Sequence, residues 1–254
     1  MKWNATTLKI IAVVLMFLDH IHQMWAHSGA PLWLTMLGRP VFPIFLFIMS
    51  ESFHYTRSRK KMLIRLLLIS WLMIILNRLL NVVILPNENI VLINSAFGTF
   101  FIAALYMLFW DMLIKGIKEK KIQKIIAAAL LCLVPILTAF PILYLASMES
   151  PPLWLLNIFF FIPNVVVVEG GPVIVALGLL FYIFRKWRWV QCLVLIVLSA
   201  LQFFLFKESI QWMMVFAVIP MLLYNGEKGR GMKNFFYIFY PAHIYLLYVI
   251  ATLF

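Results

Sequence analysis

The sequence predicts an all-α fold, a polytopic transmembrane helix bundle of nine to ten spans with one broken or re-entrant segment. Hydrophobic residues make up 65% of the 254 positions and charged residues only 12%. Because a membrane-spanning helix needs about 20 apolar residues, runs such as 8–18 and 122–146 indicate that nearly the whole chain lies in the membrane. We therefore treat residues 1–254 as a single transmembrane domain, with no room for a soluble one.

Basic residues predict the orientation of the bundle, because they are concentrated in four short connections between the apolar runs. These are Arg57, Arg59, Lys60, Lys61 and Arg65; Lys115, Lys118, Lys120, Lys121 and Lys124; Arg185, Lys186 and Arg188; and Lys228, Arg230 and Lys233. The positive-inside rule places these connections and the amino terminus in the cytoplasm of a plasma-membrane protein. The net charge of +12 is therefore a topology signal, and we expect no nucleic-acid partner.

The segment between Glu149 and Arg185 decides the number of spans. Residues 152–168 and 172–184 could each cross, but two crossings would place the Arg185 connection outside. A single crossing next to a broken or re-entrant segment keeps Arg185 inside, and such backbone is tolerated only where protein or a water-filled cavity covers it. We therefore expect nine spans with an external carboxyl terminus, and ten spans are the alternative.

The first apolar run carries the most informative polar residues. Asp19 and His20 lie deep in this run, with ten residues between Lys9 and His20. Ionisable side chains at such depth cost roughly 2.5–3.5 kcal/mol on insertion scales and mark a functional site by default. Neighbouring residues project about 100° apart on a helix, so Asp19 can orient His20 or face a different helix.

Helical rise places further polar residues at the depth of His20, in the outer half of the membrane. The second span enters at Arg39, the third reaches Arg78, and the fourth begins near Asn94. Asp19, His20, Arg39, Arg78, Asn81 and Asn94 could therefore form one polar layer, a candidate functional site with the histidine at its centre. The alternative is a structural network in which Asp19 neutralises an arginine.

A second polar layer lies near the inner side. Lys9 and Glu51 lie close to a connection that carries Arg57, Arg59 and Lys60. Arginine and lysine make charge-assisted contacts to phosphate, so this layer can bind a polyphosphate ligand. The alternative is that these cations only set the topology.

The last apolar run contains Tyr240, Pro241 and His243. A proline in a membrane helix frees a carbonyl and often marks a bend beside a cavity. His243 is either part of such a site or a packed, hydrogen-bonded histidine.

The cysteines Cys132 and Cys192 lie inside apolar runs without polar neighbours, so we expect no disulfide and no metal site.

Several stretches resemble the TraX family, which is known for N-terminal acetylation of conjugative pilin. They are Leu8-Lys9-Ile10-Ile11-Ala12 through Leu18-Asp19-His20, Gly38-Arg39-Pro40-Val41-Phe42-Pro43-Ile44-Phe45, Glu51-Ser52-Phe53 with Thr56-Arg57-Ser58-Arg59-Lys60, and Phe235-Phe236-Tyr237-Ile238-Phe239-Tyr240-Pro241-Ala242-His243. The spacing of Lys9 and His20 also resembles the basic-x10-His element of the wider membrane acyltransferase superfamily. The middle of the chain matches more loosely, and the resemblance leads us to expect Asp where this chain has Glu169, whose role stays open.

The resemblance implies an acetyltransferase that takes acetyl from cytoplasmic acetyl-CoA and delivers it to an extracytoplasmic acceptor. The acceptor would be an amine or hydroxyl of a pilin-like peptide or an envelope glycan, and transfer could be direct or pass through an acetyl-histidine. In such a reaction the candidate catalytic residues are Asp19, His20, Arg39, Arg78 and Asn94. His20 would be the general base, Asp19 or a carboxylate from another helix would orient it, and Arg39, Arg78 or Asn94 would stabilise the oxyanion. The residues assigned to coenzyme A are Lys9, Glu51, Arg57, Arg59, Lys60, Tyr240 and His243. Two other functions stay open, a proton-coupled transporter or flippase and a noncatalytic envelope assembly factor.

Overall fold

A computed structural model describes residues 2–254, and helices form most of that part of the chain. The α-helices are α1 (Ala5–Trp25), α2 (Trp33–Gly38), α3 (Val41–Tyr55), α4 (Arg59–Arg78), α5 (Ala96–Lys118), α6 (Ile122–Leu137), α7 (Phe140–Ala146), α8 (Leu153–Phe160), α9 (Gly171–Ile183), α10 (Arg188–Leu205), α11 (Val218–Leu223) and α12 (Lys233–Leu253). Ala26–Ser28 and Ile210–Ala217 are 3-10 helices, and Leu79–Ile84 continues α4 as a π-helix. The predicted all-α fold is confirmed.

Seven helical segments among the described residues are long and apolar enough to cross a membrane. They are Ala5–Ser28, Trp33–Tyr55, Arg59–Ile84, Ala96–Lys118, Ile122–Ala146, Arg188–Leu205 and Asn234–Leu253. Two shorter apolar segments, Gly171–Ile183 and Ile210–Leu223, bring the number of possible crossings to the predicted nine. The eight residues of α8 extend over only about 12 Å, which is too short for a crossing and identifies the predicted broken segment.

The broken segment satisfies its own backbone, as a non-helical stretch inside a membrane must. Asn164 is fully buried, and its Oδ1 accepts hydrogen bonds from the amides of Val166 and Val167, both at 3.0 Å. The indole of Trp71 donates to the carbonyl of Phe161 at 2.7 Å. These bonds supply partners to groups that a continuous helix would have paired.

Contacts divide the chain into two compact units, each built from stretches that are distant in sequence. Unit 1 comprises Met1–Met49, Asn77–Leu92 and Phe184–Phe254. Unit 2 comprises Ser50–Leu76 and Ile93–Ile183. His20 and the last helix therefore belong to unit 1, and the basic connection around Arg59 belongs to unit 2.

The start of the chain is bound to the connection that precedes α12, within unit 1. The amide of Trp3 donates to the carbonyl of Leu223, and the amide of Asn225 donates to the carbonyl of Trp3, both at 2.8 Å. The Thr6 hydroxyl donates to the carbonyl of Arg230 at 2.6 Å. The amino terminus and the end of α11 thus define one end of unit 1, which we call the amino-terminal end.

Arg188, the first residue of α10, lies at the same end. Its Nη1 donates to the carbonyls of Met221 and Tyr224 at 3.0 and 2.9 Å, where α11 leaves carbonyls without helical donors. The Arg185–Arg188 connection is therefore on the same side as the amino terminus. The nine-span arrangement requires this placement, and the ten-span alternative does not allow it.

The short segment Ile210–Leu223 extends between the two ends of unit 1. Gln211 at its start accepts a hydrogen bond from Arg39, which binds Asp19 near the far end of α1. Leu223 at its end lies beside Trp3. Eight residues of 3-10 helix at about 2.0 Å and six of α-helix at about 1.5 Å cover about 25 Å. The longer rise per residue of the 3-10 helix lets a short segment reach from the level of Arg39 to that of Trp3.

Cysteine labelling tests the orientation of α10. In a chain with Cys132 and Cys192 changed to Ala, we expect an impermeant maleimide to label a Ser150→Cys variant from outside intact cells. We expect Trp187→Cys and Gly231→Cys to react only after the membrane is permeabilised, because both positions lie in connections on the predicted cytoplasmic side. External labelling of Trp187→Cys together with protection of Gly231→Cys would contradict the nine-span topology.

Candidate functional site

Two buried histidines meet where α1 packs beside α12 in unit 1. His20 and His243 are only 5% and 4% exposed. Nδ1 of His20 lies 2.7 Å from Nε2 of His243, and the ring centroids are 4.9 Å apart with an interplanar angle of 23°. The sequence singled out both residues, and the structure places them in direct hydrogen-bond contact.

The hydrogen-bond directions follow from the groups involved. Nδ1 of His243 lies 2.7 Å from the carbonyl oxygen of Phe239, which can only accept, so this nitrogen carries the proton. In the neutral ring, Nε2 of His243 is then the acceptor, and Nδ1 of His20 donates to it. The neutral His20 ring is thereby left with Nε2 as its basic nitrogen.

Aromatic rings enclose the histidine pair. The Phe239 ring stacks on His243 with centroids 4.6 Å apart, and Tyr240 lies 6.3 Å from the centroid of His20. Lys9 is half-buried near the start of α1, and its Nζ lies 5.4 Å from the centroid of the Phe236 ring. Tyr240 and His243 therefore adjoin the candidate base, whereas Lys9 lies about 16 Å along the helix from it.

Asp19 belongs to a different cluster from its neighbour in sequence. Its Oδ1 accepts from the Thr35 hydroxyl at 2.5 Å and from Nη2 of Arg39 at 2.9 Å. The sequence analysis expected a carboxylate to orient His20, but the structure pairs that ring with His243. Because adjacent side chains diverge on a helix, Asp19 faces α2 and Arg39 directly after it, while His20 faces α12.

Arg39 connects three elements of unit 1. Its Nε donates to the carbonyl of Thr35 at 3.1 Å, and its Nη1 donates to Oε1 of Gln211 at 3.2 Å. The glycine at position 38 lets the end of α2 lie close to Asp19, because a Cβ at Gly38 would collide with Cβ and Cγ of Asp19. These contacts support the alternative interpretation of Asp19 and Arg39 as a structural ion pair.

The two remaining candidates for oxyanion stabilisation differ in their surroundings. Arg78 is the last residue of α4 and its side chain is exposed. Asn94 is 6% exposed and precedes α5 in unit 2. A group that stabilises an oxyanion acts best where water is excluded, and burial alone therefore favours Asn94 over Arg78.

In unit 2, Arg59 forms a cluster with two residues that the sequence analysis missed, Asp111 and Tyr182. Nη1 of Arg59 lies 2.6 Å from Oδ2 of Asp111, and the hydroxyl of Tyr182, a fully buried residue, donates to the same oxygen at 2.7 Å. The Arg59 guanidinium also stacks over Phe53, 4.9 Å from the ring centroid. Asp111 is an acidic residue deep in an apolar helix, so the argument applied to Asp19 would have found it.

The exposure of the other residues in the predicted inner polar layer indicates which cations a ligand could reach. Arg57 and Lys60 are exposed, and Glu51 is partly buried. Arg59 already has a carboxylate partner in Asp111. A phosphate group would therefore meet Arg57 and Lys60 more readily than Arg59.

Glu169 has a structural role that the sequence left open. Its Oε2 accepts from the amide of Ser95 at 2.9 Å, and its carbonyl accepts from the Thr99 hydroxyl at 2.6 Å. A carboxylate at this position stabilises the amino terminus of α5, because the backbone amides there carry partial positive charge. Gly170 and Gly171 have φ values of 78° and 61°, which glycine adopts without strain, and they turn the chain into α9.

Comparison with known proteins identifies the family. A family model described as TraX protein matches residues 4–251. The chain belongs to the TraX family. The TraX-family chain is also 29% identical over 271 residues to "Probable fimbrial assembly protein FimC, serogroup H1" of Dichelobacter nodosus. The alignment covers 96% of the TraX-family chain and 94% of that protein. No solved structure matches the TraX-family chain. The family and the relative's name fit a pilin-related membrane protein.

The Arg59–Asp111 pair of this TraX-family chain gives a stability prediction. We expect Asp111→Leu to lower the free energy of unfolding by about 1–3 kcal/mol, because Arg59 keeps its charge without a partner. Thermal unfolding in lipid nanodiscs measures the change. The double variant Asp111→Leu with Arg59→Met should recover part of the loss. Additive losses in the double variant would show that the pair contributes nothing.

Proposed function

We propose that this protein is a membrane-embedded acetyltransferase in which His20 is the general base. The observation that supports the proposal most strongly is the buried histidine pair, because its hydrogen bonds leave Nε2 of His20 as the basic nitrogen. A neutral imidazole can take a proton from an acceptor and return it later, which is the task of a general base. Membership of the TraX family supports a pilin-related acceptor.

The proposed reaction transfers the acetyl group of acetyl-CoA to an amine or hydroxyl. Nε2 of His20 removes a proton from the acceptor as the acceptor attacks the thioester carbonyl. The new bond to the acetyl carbon forms, the carbon–sulfur bond breaks, and coenzyme A leaves as the thiolate. His20 then returns its proton to that sulfur, so the enzyme ends in its starting state.

A covalent variant of the reaction uses the same nitrogen. Nε2 of His20 would attack the thioester carbonyl, and coenzyme A would leave as the thiolate. The acceptor would then attack the acetyl carbon, the bond from that carbon to Nε2 would break, and the acceptor's proton would pass to the freed Nε2 and on to the thiolate. In both variants the oxyanion needs a donor, and Arg39, Arg78 and Asn94 stay the proposed candidates. Arg39 would have to exchange one of its bonds to Thr35 or Gln211 for that role.

Coenzyme A would be bound through its phosphates by basic side chains near the predicted cytoplasmic side. The exposed Arg57 and Lys60 fit this task best, and Lys9, Glu51 and Tyr240 remain proposed contacts. The acceptor would come from the other side of the plasma membrane. A pilin-like peptide fits the relative named as a probable fimbrial assembly protein, and an envelope glycan would offer the same reacting groups.

A proton-coupled transporter is the second candidate, because a hydrogen-bonded histidine pair can also pass protons. The relay drawn from the sequence included Asp19, His20 and Glu51. Asp19 is held by Arg39 and Thr35, which favours the enzyme over this relay. An acetyl-transfer measurement separates the two functions directly.

The central test is a His20→Ala variant in nanodiscs supplied with acetyl-CoA. We expect slow release of free thiol by the parent protein and a 10²–10⁴-fold lower rate in the variant, because the general base is gone. Acetyl-CoA binding should be nearly unchanged, since the phosphates are assigned elsewhere. His27→Ala, an exposed histidine beyond the end of α1, is the matched control and should keep the parent rate. Full activity of His20→Ala would rule out the mechanism.

A second test addresses donor binding. We expect the double variant Arg57→Ala with Lys60→Ala to weaken acetyl-CoA affinity in calorimetry, and added salt to weaken the parent in the same way, because phosphate contacts are charge-assisted. Lys118→Ala, in another basic connection, is the control and should bind like the parent. Unchanged affinity in the double variant would mean that these cations only set the topology.

A further inference from the structure

We infer that His243 is the positioning residue of His20, fixing its tautomer so that Nε2 is the nitrogen that reacts. The inference rests on the proposed function and adds a role for a residue that the sequence assigned to coenzyme A. The carbonyl of Phe239, Nδ1 and Nε2 of His243, and Nδ1 of His20 form one continuous hydrogen-bond chain. Each bond in the chain is 2.7 Å long.

His243 is held in one orientation from three directions. Its Nδ1 is bound to the carbonyl one turn earlier in α12, at Phe239. Its ring is stacked at 15° on Phe239 and at 23° on His20, and Phe17 approaches to 6.2 Å between centroids. A flip of the ring would break both hydrogen bonds in a buried site, which is costly where no water can replace them.

Pro241 lies between the two residues of α12 that build the chain. Proline has no amide hydrogen, so the helical bond to the carbonyl of Tyr237 is missing, and its ring crowds that carbonyl. Phe239 lies within this turn, two positions after Tyr237, and Nδ1 of His243 donates to the Phe239 carbonyl.

The neutral partner also shapes the charge of the base. When Nε2 of His20 takes a proton, the Nδ1 proton lies in a short bond to a second imidazole, which can share the positive charge. A carboxylate partner would instead bring a full negative charge into the buried site. Asp19, the residue before His20, already forms an ion pair with Arg39. His243 therefore orients the base while keeping the resting pair neutral.

Steady-state kinetics give the first test, with thiol release from acetyl-CoA as the measurement. We expect His243→Ala to lower kcat about 10–100-fold with KM little changed, because His243 orients His20 and touches no substrate. His243→Gln should recover part of kcat, since an amide oxygen can accept from Nδ1 of His20 at the position of Nε2. Phe203→Leu, which alters ring contacts with Phe204 and Trp212 and none with the histidine pair, is the control and should keep kcat near the parent value.

The tautomer itself gives the second test, which does not depend on activity. In protein labelled with ¹⁵N-histidine, the His20 signals are assigned by their loss in His20→Ala. We expect a protonated Nδ1 and an unprotonated Nε2 in the parent and in His243→Gln, and a shift towards Nε2 protonation in His243→Ala. A parent in which His20 carries its proton on Nε2 would overturn the inference, as would an unchanged tautomer in His243→Ala.

The two tests also separate this inference from the proposed function. If acetyl-CoA is never consumed but the tautomer responds to His243 as expected, the acetyltransferase proposal fails and the positioning of His20 by His243 stands. If thiol release depends on His20 but not on His243, the enzyme proposal stands and the positioning role fails. If His243→Gln matches His243→Ala in both kcat and tautomer, the hydrogen bond is not the cause and the inference also fails.

Discussion

The exclusion of water from the membrane interior is the constraint on which the rest of this structure depends. An ionisable side chain there must bind another polar group, because no solvent can take its place. Asp19 meets Arg39, Asp111 meets Arg59, and His20 meets His243. The first two pairings connect helices that follow one another in the chain, and the third connects α1 to α12.

The pairings differ in what they leave for chemistry. In the two ion pairs each charge is neutralised by its partner. Thr35 and Tyr182 donate to the carboxylate oxygens that the arginines bind, and Nη1 of Arg39 donates to Gln211. The histidine pair carries no charge when both rings are neutral, and its bonds point one way, from His20 towards the carbonyl of Phe239. A basic nitrogen therefore remains on His20, which is why we assign the chemistry to this pair.

Backbone irregularities serve the same constraint. Asn164 pairs amides in the broken segment before α9, and Glu169 caps α5 from the same stretch. The 3-10 winding of Ile210–Ala217 lets a short segment reach from Arg39 to the amino-terminal end of unit 1. Each irregular stretch carries polar groups whose partners are supplied by the protein itself, as membrane-embedded backbone requires.

The sequence by itself determined the fold class, the broken segment and the buried polar residues of α1 and α12. Hydropathy and charge report on the partition of each residue between water and lipid, which is a local property. Only the tertiary structure decided which polar residues meet. Asp19 and His20 are neighbours that diverge around α1, whereas His243 lies 223 positions from His20 and forms its hydrogen bond. The depth of Asp111 in an apolar helix marks it in the sequence, but only the tertiary structure shows that its partner is Arg59. Pairing depends on helix rotation and packing, and neither can be read from one sequence.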